Sequence, residues 1–150
     1  HTRCSRDWSS DVCSSDLVPL STLLAEADIV SMHVPLTEET AGMCDARFFA
    51  AMRPGAIFVN TTRGGVVRQD DLVAALRAGT IAGAALDTFV VEPLPKESLL
   101  WEMPNVIVSP HSASTVAAEN GRIVDIFLDN LERFLNGRPL RNKFEPARGY

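Results

Sequence analysis

The chain has 150 residues, of which 46% are hydrophobic and 22% charged, and it carries a net charge of −5. It is long enough for one sizeable core and is expected to form one domain or most of one. The acidic balance argues against a nucleic-acid surface, which needs clustered Lys and Arg. No apolar stretch approaches the roughly 20 residues of a membrane-spanning helix, and the start lacks a signal-peptide core. We therefore predict no membrane contact and a cytoplasmic location.

Residues 1–17 differ in composition from the rest of the chain. They are rich in Ser, Asp and Cys, and the segment from Asp7 to Leu17 resembles a translated short-read sequencing adapter. We expect a non-native leader, with a natural disordered tail as the alternative, and leave it out of the fold prediction. After this leader Cys44 is the only cysteine, so we predict neither a disulfide framework nor a metal site.

From residue 18 onward, caps, apolar spacing and turn residues predict alternating helices and strands. In chain order these are a helix at 20–27, a strand at 28–34, a helix capped by Asp45 and stopped by Pro54-Gly55, a strand at 56–60, a helix at 69–78, strands at 82–86 and 106–108, and a long helix at 114–136. Near-continuous apolar strands separated by helices predict a parallel sheet covered on both faces. The apolar stripe from Phe127 to Leu135 is predicted to pack in the core.

Polar side chains lie at or just after the carboxyl ends of four of the predicted strands. They are His33, residues 61–63, Asp87 and residues 109–111. Because ligands of parallel sheets bind at the carboxyl ends of the strands, these side chains are expected to share one crevice.

Three of the residues near these strand ends form a carbonyl-reducing combination. Arg63 can hold a carboxylate through two parallel hydrogen bonds, and His111 can move a proton near neutral pH. Glu92 can orient the histidine and favour its charged form.

Three ordered motifs add a family resemblance. Leu24 to Thr40, Met52 to Gly64 and Leu86 to Pro95, followed by Pro110-His111, resemble signatures of the D-isomer-specific 2-hydroxyacid dehydrogenases. The similarity extends from Leu23 to Tyr150, nearly everything after the leader. It implies a Rossmann-like α/β fold with helices on both faces of the sheet.

The resemblance also implies roles for single residues. Arg63 would bind the substrate carboxylate, His111 would exchange the proton with the carbonyl oxygen, and Glu92 would hydrogen-bond His111. NAD or NADP would supply or accept the hydride. Asp87 matches the residue that bonds the nicotinamide carboxamide, and the other positions that match cofactor contacts are Val34, Thr61, Thr62, Arg63, His111 and Ser112.

The same resemblance divides the chain. Residues 18–113 would be the second part of a dinucleotide-binding domain, and residues 114–150 a crossing helix and tail that return to a missing substrate lobe. Neither the Gly-rich phosphate loop nor the residue that selects NAD or NADP is recognised. The fragment alone is therefore expected to be inactive, and the complete protein to be a homodimer acting on a small 2-keto or 2-hydroxy acid.

Other interpretations stay open at this point. A non-catalytic, corepressor-like nucleotide sensor of the same fold would keep the same three residues, a decayed gene would also fit, and formate dehydrogenase is disfavoured by Glu92. His33 is interpreted as a packed, hydrogen-bonded residue or a cofactor neighbour, and the alternative role of Asp87 is to cap a turn. Gly64-Gly65 suggests a backbone kept small for a ligand. Arg68 and Asp70-Asp71 are expected only to face solvent or begin a helix.

Overall fold

The computed structural model describes residues 17–113, 115–144 and 146, and the predicted leader lies outside these residues except for Leu17. The four strands of this part are β1 (Ile29–Met32), β2 (Ile57–Asn60), β3 (Gly83–Leu86) and β4 (Val106–Val108), and the α-helices are α1 (Leu20–Glu26), α2 (Ala46–Ala51), α3 (Gln69–Arg77) and α4 (Glu119–Leu135). The strands lie in the order β1-β2-β3-β4, and each neighbouring pair is parallel. The predicted Rossmann-like parallel sheet is confirmed.

Local signals set the helix ends in the first part of the chain. Asp45 caps α2 by accepting hydrogen bonds from the backbone N–H groups of Arg47 and Phe48, as predicted. Gly79 follows α3 with a positive φ of 68°, a conformation that glycine adopts without strain. Asp71 does more than face solvent, because its side chain accepts a hydrogen bond from the backbone of Ala46 and so ties α3 to the start of α2.

The two faces of the sheet are covered unequally by the described residues. On one face Phe58 of β2 is fully buried and meets Phe48 and Phe49 of α2 edge to face, with ring centroids 6.0 and 5.2 Å apart. On the other face Ile29 and Ile107 are exposed. Helices were expected on both faces of the sheet. Within this part of the chain they cover one face.

The core also contains the one cysteine that the sequence placed after the leader. Cys44 is fully buried, and this burial, with the nearby charge of Asp45, raises the pKa of its thiol to about 12. Cys44 is thus a packed core residue and not a nucleophile.

Helix α4 departs from two predictions. It begins at Glu119 and not at residue 114, because the backbone after His111 is held elsewhere: the N–H groups of Ser112 and Ala113 bond to Asp87, and Thr115 closes a turn onto the carbonyl of Ser112. Its apolar stripe does not pack in the core. Phe127, Phe134 and Leu135 are 62%, 69% and 75% exposed, since no element in the described part of the chain covers them.

None of the helices in the described residues is both long and apolar enough to span a bilayer.

Candidate active site

The loops that leave β2, β3 and β4 meet at the carboxyl edge of the sheet. Arg63 lies three residues after the end of β2, Glu92 six residues after β3, and His111 three residues after β4. In a parallel sheet these loops emerge side by side. The geometry therefore brings the three loops that carry Arg63, Glu92 and His111 to one edge of the sheet.

Glu92 and His111 are in direct contact. The imidazole Nδ1 lies 2.8 Å from Oε2 of Glu92, and the other carboxylate oxygen accepts a hydrogen bond of 2.9 Å from the backbone N–H of Phe89. The side chains of His111 and Glu92 are 46% and 36% exposed, so the pair opens to solvent. Because Glu92 contacts Nδ1, the other ring nitrogen, Nε2, is left to face a reactant. Within the described residues Nε2 forms no hydrogen bond.

The electrostatics of this pair favour an ionised carboxylate. The hydrogen bond from His111, the N–H of Phe89 and the positive charges of His111 and Arg63 hold the pKa of Glu92 below its usual value. Arg63 makes the smallest of these contributions. Its Nη1 donates a 2.7 Å hydrogen bond to the carbonyl of Thr62.

The backbone of His111 is in the left-handed region, with φ of 53°, which non-glycine residues seldom adopt. Asp87 holds the loop that follows. Its two carboxylate oxygens accept hydrogen bonds of 2.8 and 2.9 Å from the N–H groups of Ser112 and Ala113. Burial alone would raise the pKa of Asp87, but hydrogen bonds from the Ser109 hydroxyl and from these two N–H groups lower it.

Asn60 holds the loop that carries Arg63, as Asp87 holds the loop after His111. This residue was not singled out from the sequence. This buried amide donates to the carbonyl of Arg63 and to the hydroxyl of Thr88, and its oxygen accepts from the backbone and hydroxyl of Thr62. Every polar atom of the side chain is satisfied. The sequence signal that could have identified Asn60 is a polar residue at the end of an apolar strand.

The two glycines after Arg63 are small for a different reason from the one predicted. A Cβ on Gly64 would lie 1.9 Å from the carbonyl carbon of Phe89, and a Cβ on Gly65 would lie 3.0 Å from the side chain of Leu36. The space beside both glycines is occupied by the protein itself. The prediction of a backbone kept small for a ligand is therefore wrong.

A cavity of about 610 Å³ opens beside the pair, with an apolar wall that includes Phe89, Leu94 and Trp101. A larger groove of about 760 Å³ lies along the start of α3 and contains none of Arg63, Glu92 and His111. We assign the chemistry to the smaller cavity because Glu92 and His111 line it, although Arg63 is not among its lining residues.

Comparison with known proteins identifies the family. A family model described as "D-isomer specific 2-hydroxyacid dehydrogenase, NAD binding domain" matches residues 3–113, a range that includes most of the predicted leader. The chain belongs to the D-isomer-specific 2-hydroxyacid dehydrogenase family.

Individual family members are similar over most of this chain. A glyoxylate reductase of Korarchaeum cryptofilum is 45% identical over 122 residues, which are 81% of this chain and 37% of the relative. A crystal structure of a D-isomer specific 2-hydroxyacid dehydrogenase from Xanthobacter autotrophicus Py2, in complex with NADPH and MES, has a TM-score of 0.81 at 44% identity. The aligned region covers 87% of this chain and 53% of the Xanthobacter chain.

A second structure, an NADPH-dependent glyoxylate/hydroxypyruvate reductase from Sinorhizobium meliloti in complex with NADP and sulfate, also has a TM-score of 0.81, at 33% identity. The aligned region covers 87% of this chain and 42% of the Sinorhizobium chain. The chain spans less than half the length of the curated family members it matches.

The residues predicted to line a dinucleotide lie along the same edge of this family fold. Thr61 is exposed, and Val34, Thr62 and Ser112 are half-buried. His33 is exposed and its ring bonds to the hydroxyl of Ser31, so it is hydrogen-bonded as predicted but not packed. Asp87 is engaged in turn capping, the role the sequence analysis offered as its alternative, and its contact with a carboxamide stays a prediction.

Proposed function

We propose that the complete protein is an NAD(P)-dependent oxidoreductase that interconverts a 2-keto acid and a D-2-hydroxy acid. The observation that carries this proposal is the 2.8 Å hydrogen bond between Glu92 and His111, formed at the edge of the sheet where Arg63 also lies. A proton donor with a charged partner, and a guanidinium on a loop at the same edge of the sheet, form the combination that reduction of a keto acid requires.

Arg63 binds the carboxylate of the substrate in this proposal. Its planar guanidinium offers parallel N–H donors that match the two carboxylate oxygens, which the point charge of a lysine would not do. In the free chain it bonds a backbone carbonyl, an interaction that a charged ligand replaces readily. The bound carboxylate then orients the adjacent carbonyl toward the Glu92–His111 pair.

His111 supplies the proton. A nicotinamide, when bound, supplies the hydride for the carbonyl carbon. The imidazolium gives its Nε2 proton to the carbonyl oxygen as that oxygen gains negative charge, and the ring is left neutral. Oxidation reverses the transfer, with neutral His111 accepting the hydroxyl proton. Glu92 keeps Nδ1 protonated throughout, so Nε2 is the nitrogen that exchanges.

The residues present fit the nicotinamide end of NAD or NADP. Val34 offers an apolar contact, and Thr61, Thr62 and Ser112 offer hydroxyl groups at the edge that carries His111. Asp87, with lone pairs left after its two backbone bonds, is the proposed acceptor for the carboxamide.

The division of the chain belongs to the same proposal. Residues 18–113 form the second part of the dinucleotide-binding domain, and residues 114–150 belong to a substrate lobe supplied by the rest of the protein. The exposed stripe of α4 and the greater length of the relatives support this division. The fragment alone is then inactive, and the complete protein forms a homodimer, as the family resemblance implies.

Steady-state kinetics on the complete protein test the proposal. The coding sequence upstream of the chain is recovered, and oxidation of NADH and of NADPH is followed with glyoxylate, hydroxypyruvate and pyruvate. We expect turnover with at least one keto acid and a D-configured product wherever the product is chiral. Nucleotide binding without turnover of any keto acid would favour the corepressor-like sensor, and an L-configured product would contradict the assignment.

A further inference from the structure

The loops that carry Arg63 and Glu92 touch through their backbones at Gly64. A Cβ built on this glycine would lie 1.9 Å from the carbonyl carbon of Phe89, 2.0 Å from its oxygen and 2.4 Å from the nitrogen of Val90. Gly64 does not have a positive φ, so space and not conformation requires glycine here. The neighbour is backbone, which cannot turn aside as a side chain can.

The contacted segment positions Glu92. The N–H of Phe89 donates to Oε1 of Glu92, and Oε2 of the same carboxylate holds Nδ1 of His111. Phe89 is itself buried in the core, which fixes this segment from below. A displacement of the Phe89 backbone would therefore move the Glu92 carboxylate and, with it, the ring of His111.

The same segment is also tied to Arg63. Asn60 donates to the carbonyl of Arg63 and, from the same amide nitrogen, to the hydroxyl of Thr88. Both Asn60 and Thr88 are buried. The two loops are thus joined twice, by the close approach at Gly64 and by the amide of Asn60.

We propose that Gly64 is a positioning residue that fixes the Glu92–His111 pair relative to Arg63. It acts through its close approach to the backbone of Phe89 and through its own peptide bond to Arg63. This inference rests on the proposed function for its catalytic consequence. It adds that carboxylate binding and proton transfer share one rigid backbone contact, so that a change at Gly64 affects both.

The first test compares two neighbouring glycines in the complete protein. Gly64→Ala should lower kcat/KM for the keto acid by roughly 10- to 100-fold, because a misplacement of about 1 Å can cost that much. It should also raise KM and move the alkaline limit of reduction to lower pH. Gly65→Ala is the matched control: its Cβ meets only the movable side chain of Leu36, at 3.0 and 3.3 Å, and kcat/KM should stay within about threefold.

A second variant keeps the test decisive if Gly64→Ala does not fold. Thr88→Val keeps the shape of the side chain and removes the hydroxyl that accepts from Asn60. KM and the pH profile should change in the same direction as in Gly64→Ala, but less. Thermal unfolding midpoints of the variants separate a loss of fold from a loss of positioning. Wild-type KM and pH profile in folded Gly64→Ala, or in Thr88→Val where Gly64→Ala does not fold, would overturn the proposal.

A readout that needs no activity separates this proposal from the proposed function. Titration of the Glu92 carboxyl by NMR in the 150-residue chain should give a higher pKa in Gly64→Ala or Thr88→Val than in wild type, because the bonds from Phe89 and His111 that lower it are loosened. An unchanged Glu92 titration would overturn the positioning role even if the enzyme is active. A wild-type protein that reduces no keto acid, with the Glu92 titration still displaced, would overturn only the proposed function.

Discussion

Two regions of this chain differ in how they are held together. All the buried side chains of the described residues lie between Leu24 and Leu100, whereas α4 has 17 residues and none of them is buried. The first region is the sheet with its helices and loops up to residue 113, and the candidate site, from Asn60 to the loop after β4, lies in it. The chemistry is therefore assembled by the sheet and its loops, while the helix that follows exposes an apolar face that no other described residues cover.

The interactions of each region agree with this division. The first region combines an apolar core with buried, fully hydrogen-bonded polar groups such as Asn60 and Asp87. In α4 the ordering interactions are at the surface, among them an i,i+4 ion pair between Arg133 and Asp129, which is worth about 0.3–0.5 kcal/mol. Most helical stability comes from packing an amphipathic face, and the apolar face of α4 has no cover in the described residues.

The largest effect that would test this comparison is on turnover. In the complete protein, His111→Ala should lower kcat for keto-acid reduction by roughly 10²- to 10⁴-fold with cofactor affinity kept, as expected for a lost acid. His33→Ala is the matched histidine control, since its ring contacts Ser31 and not Glu92, and should cost less than about tenfold. Equal effects of the two substitutions on kcat would contradict the assignment of the proton donor.

A stability comparison separates the regions directly. In the 150-residue chain, Phe49→Ala should lower the free energy of unfolding by about 3–5 kcal/mol, because it leaves a cavity among the rings of the core. Phe134→Ala on the exposed face of α4 should change it by less than about 0.5 kcal/mol. Urea unfolding followed by circular dichroism measures both. A large loss at Phe134 would mean that α4 packs against the rest of the chain in solution.

An intermediate effect is expected at Asp87. At neutral pH, Asp87→Asn should cost about 1–3 kcal/mol of stability, because one of the two loop N–H groups loses its acceptor. The pKa of Asp87 is lowered in the folded state, so its contribution is present above the unfolded value of about 3.9 and is lost as the pH falls through the folded value. The variant should therefore lose stability less steeply than wild type below about pH 4. Parallel curves for the two proteins would rule this contribution out.

The smallest effect concerns Glu92. Glu92→Gln removes the negative charge that supports the imidazolium, so the alkaline limit of keto-acid reduction should move to lower pH. The pair is partly exposed, and such pairs are worth about 0.2–1 kcal/mol, which corresponds to a shift of roughly 0.15–0.7 pH unit. Glu97→Gln, at a carboxylate that lines the groove along α3 and lies outside the pair, serves as the control. A pH profile that does not move would mean that the hydrogen bond has no influence on proton transfer.

Elements with local signals could be predicted from the sequence. The strand at 106–108 and the cap at Asp45 are found where they were predicted, because the apolar run and the capping carboxylate are each complete within a few residues. The contact between Glu92 and His111 was also predicted, but from the family resemblance and not from the pattern of strands.

Features that depend on distant backbone could not be predicted in this way. The closeness of Gly64 to Phe89 joins segments 25 residues apart and leaves no trace in apolar periodicity. The stripe of α4 was assigned to the core because its spacing is that of a packed helix, but spacing does not say which surface covers it. The amide of Asn60 was overlooked because an asparagine ending a strand is also an ordinary turn residue.

A crystal structure of the complete protein with a nicotinamide cofactor and oxamate, a keto-acid mimic, tests the central claim most directly. We predict that the guanidinium of Arg63 leaves the carbonyl of Thr62 and binds the oxamate carboxylate. We also predict that Nε2 of His111 donates to the oxamate oxygen that stands for the carbonyl, with Nδ1 still bonded to Glu92. Oxamate bound away from Arg63, or a His111 ring turned away from Glu92 in the complex, would contradict the account.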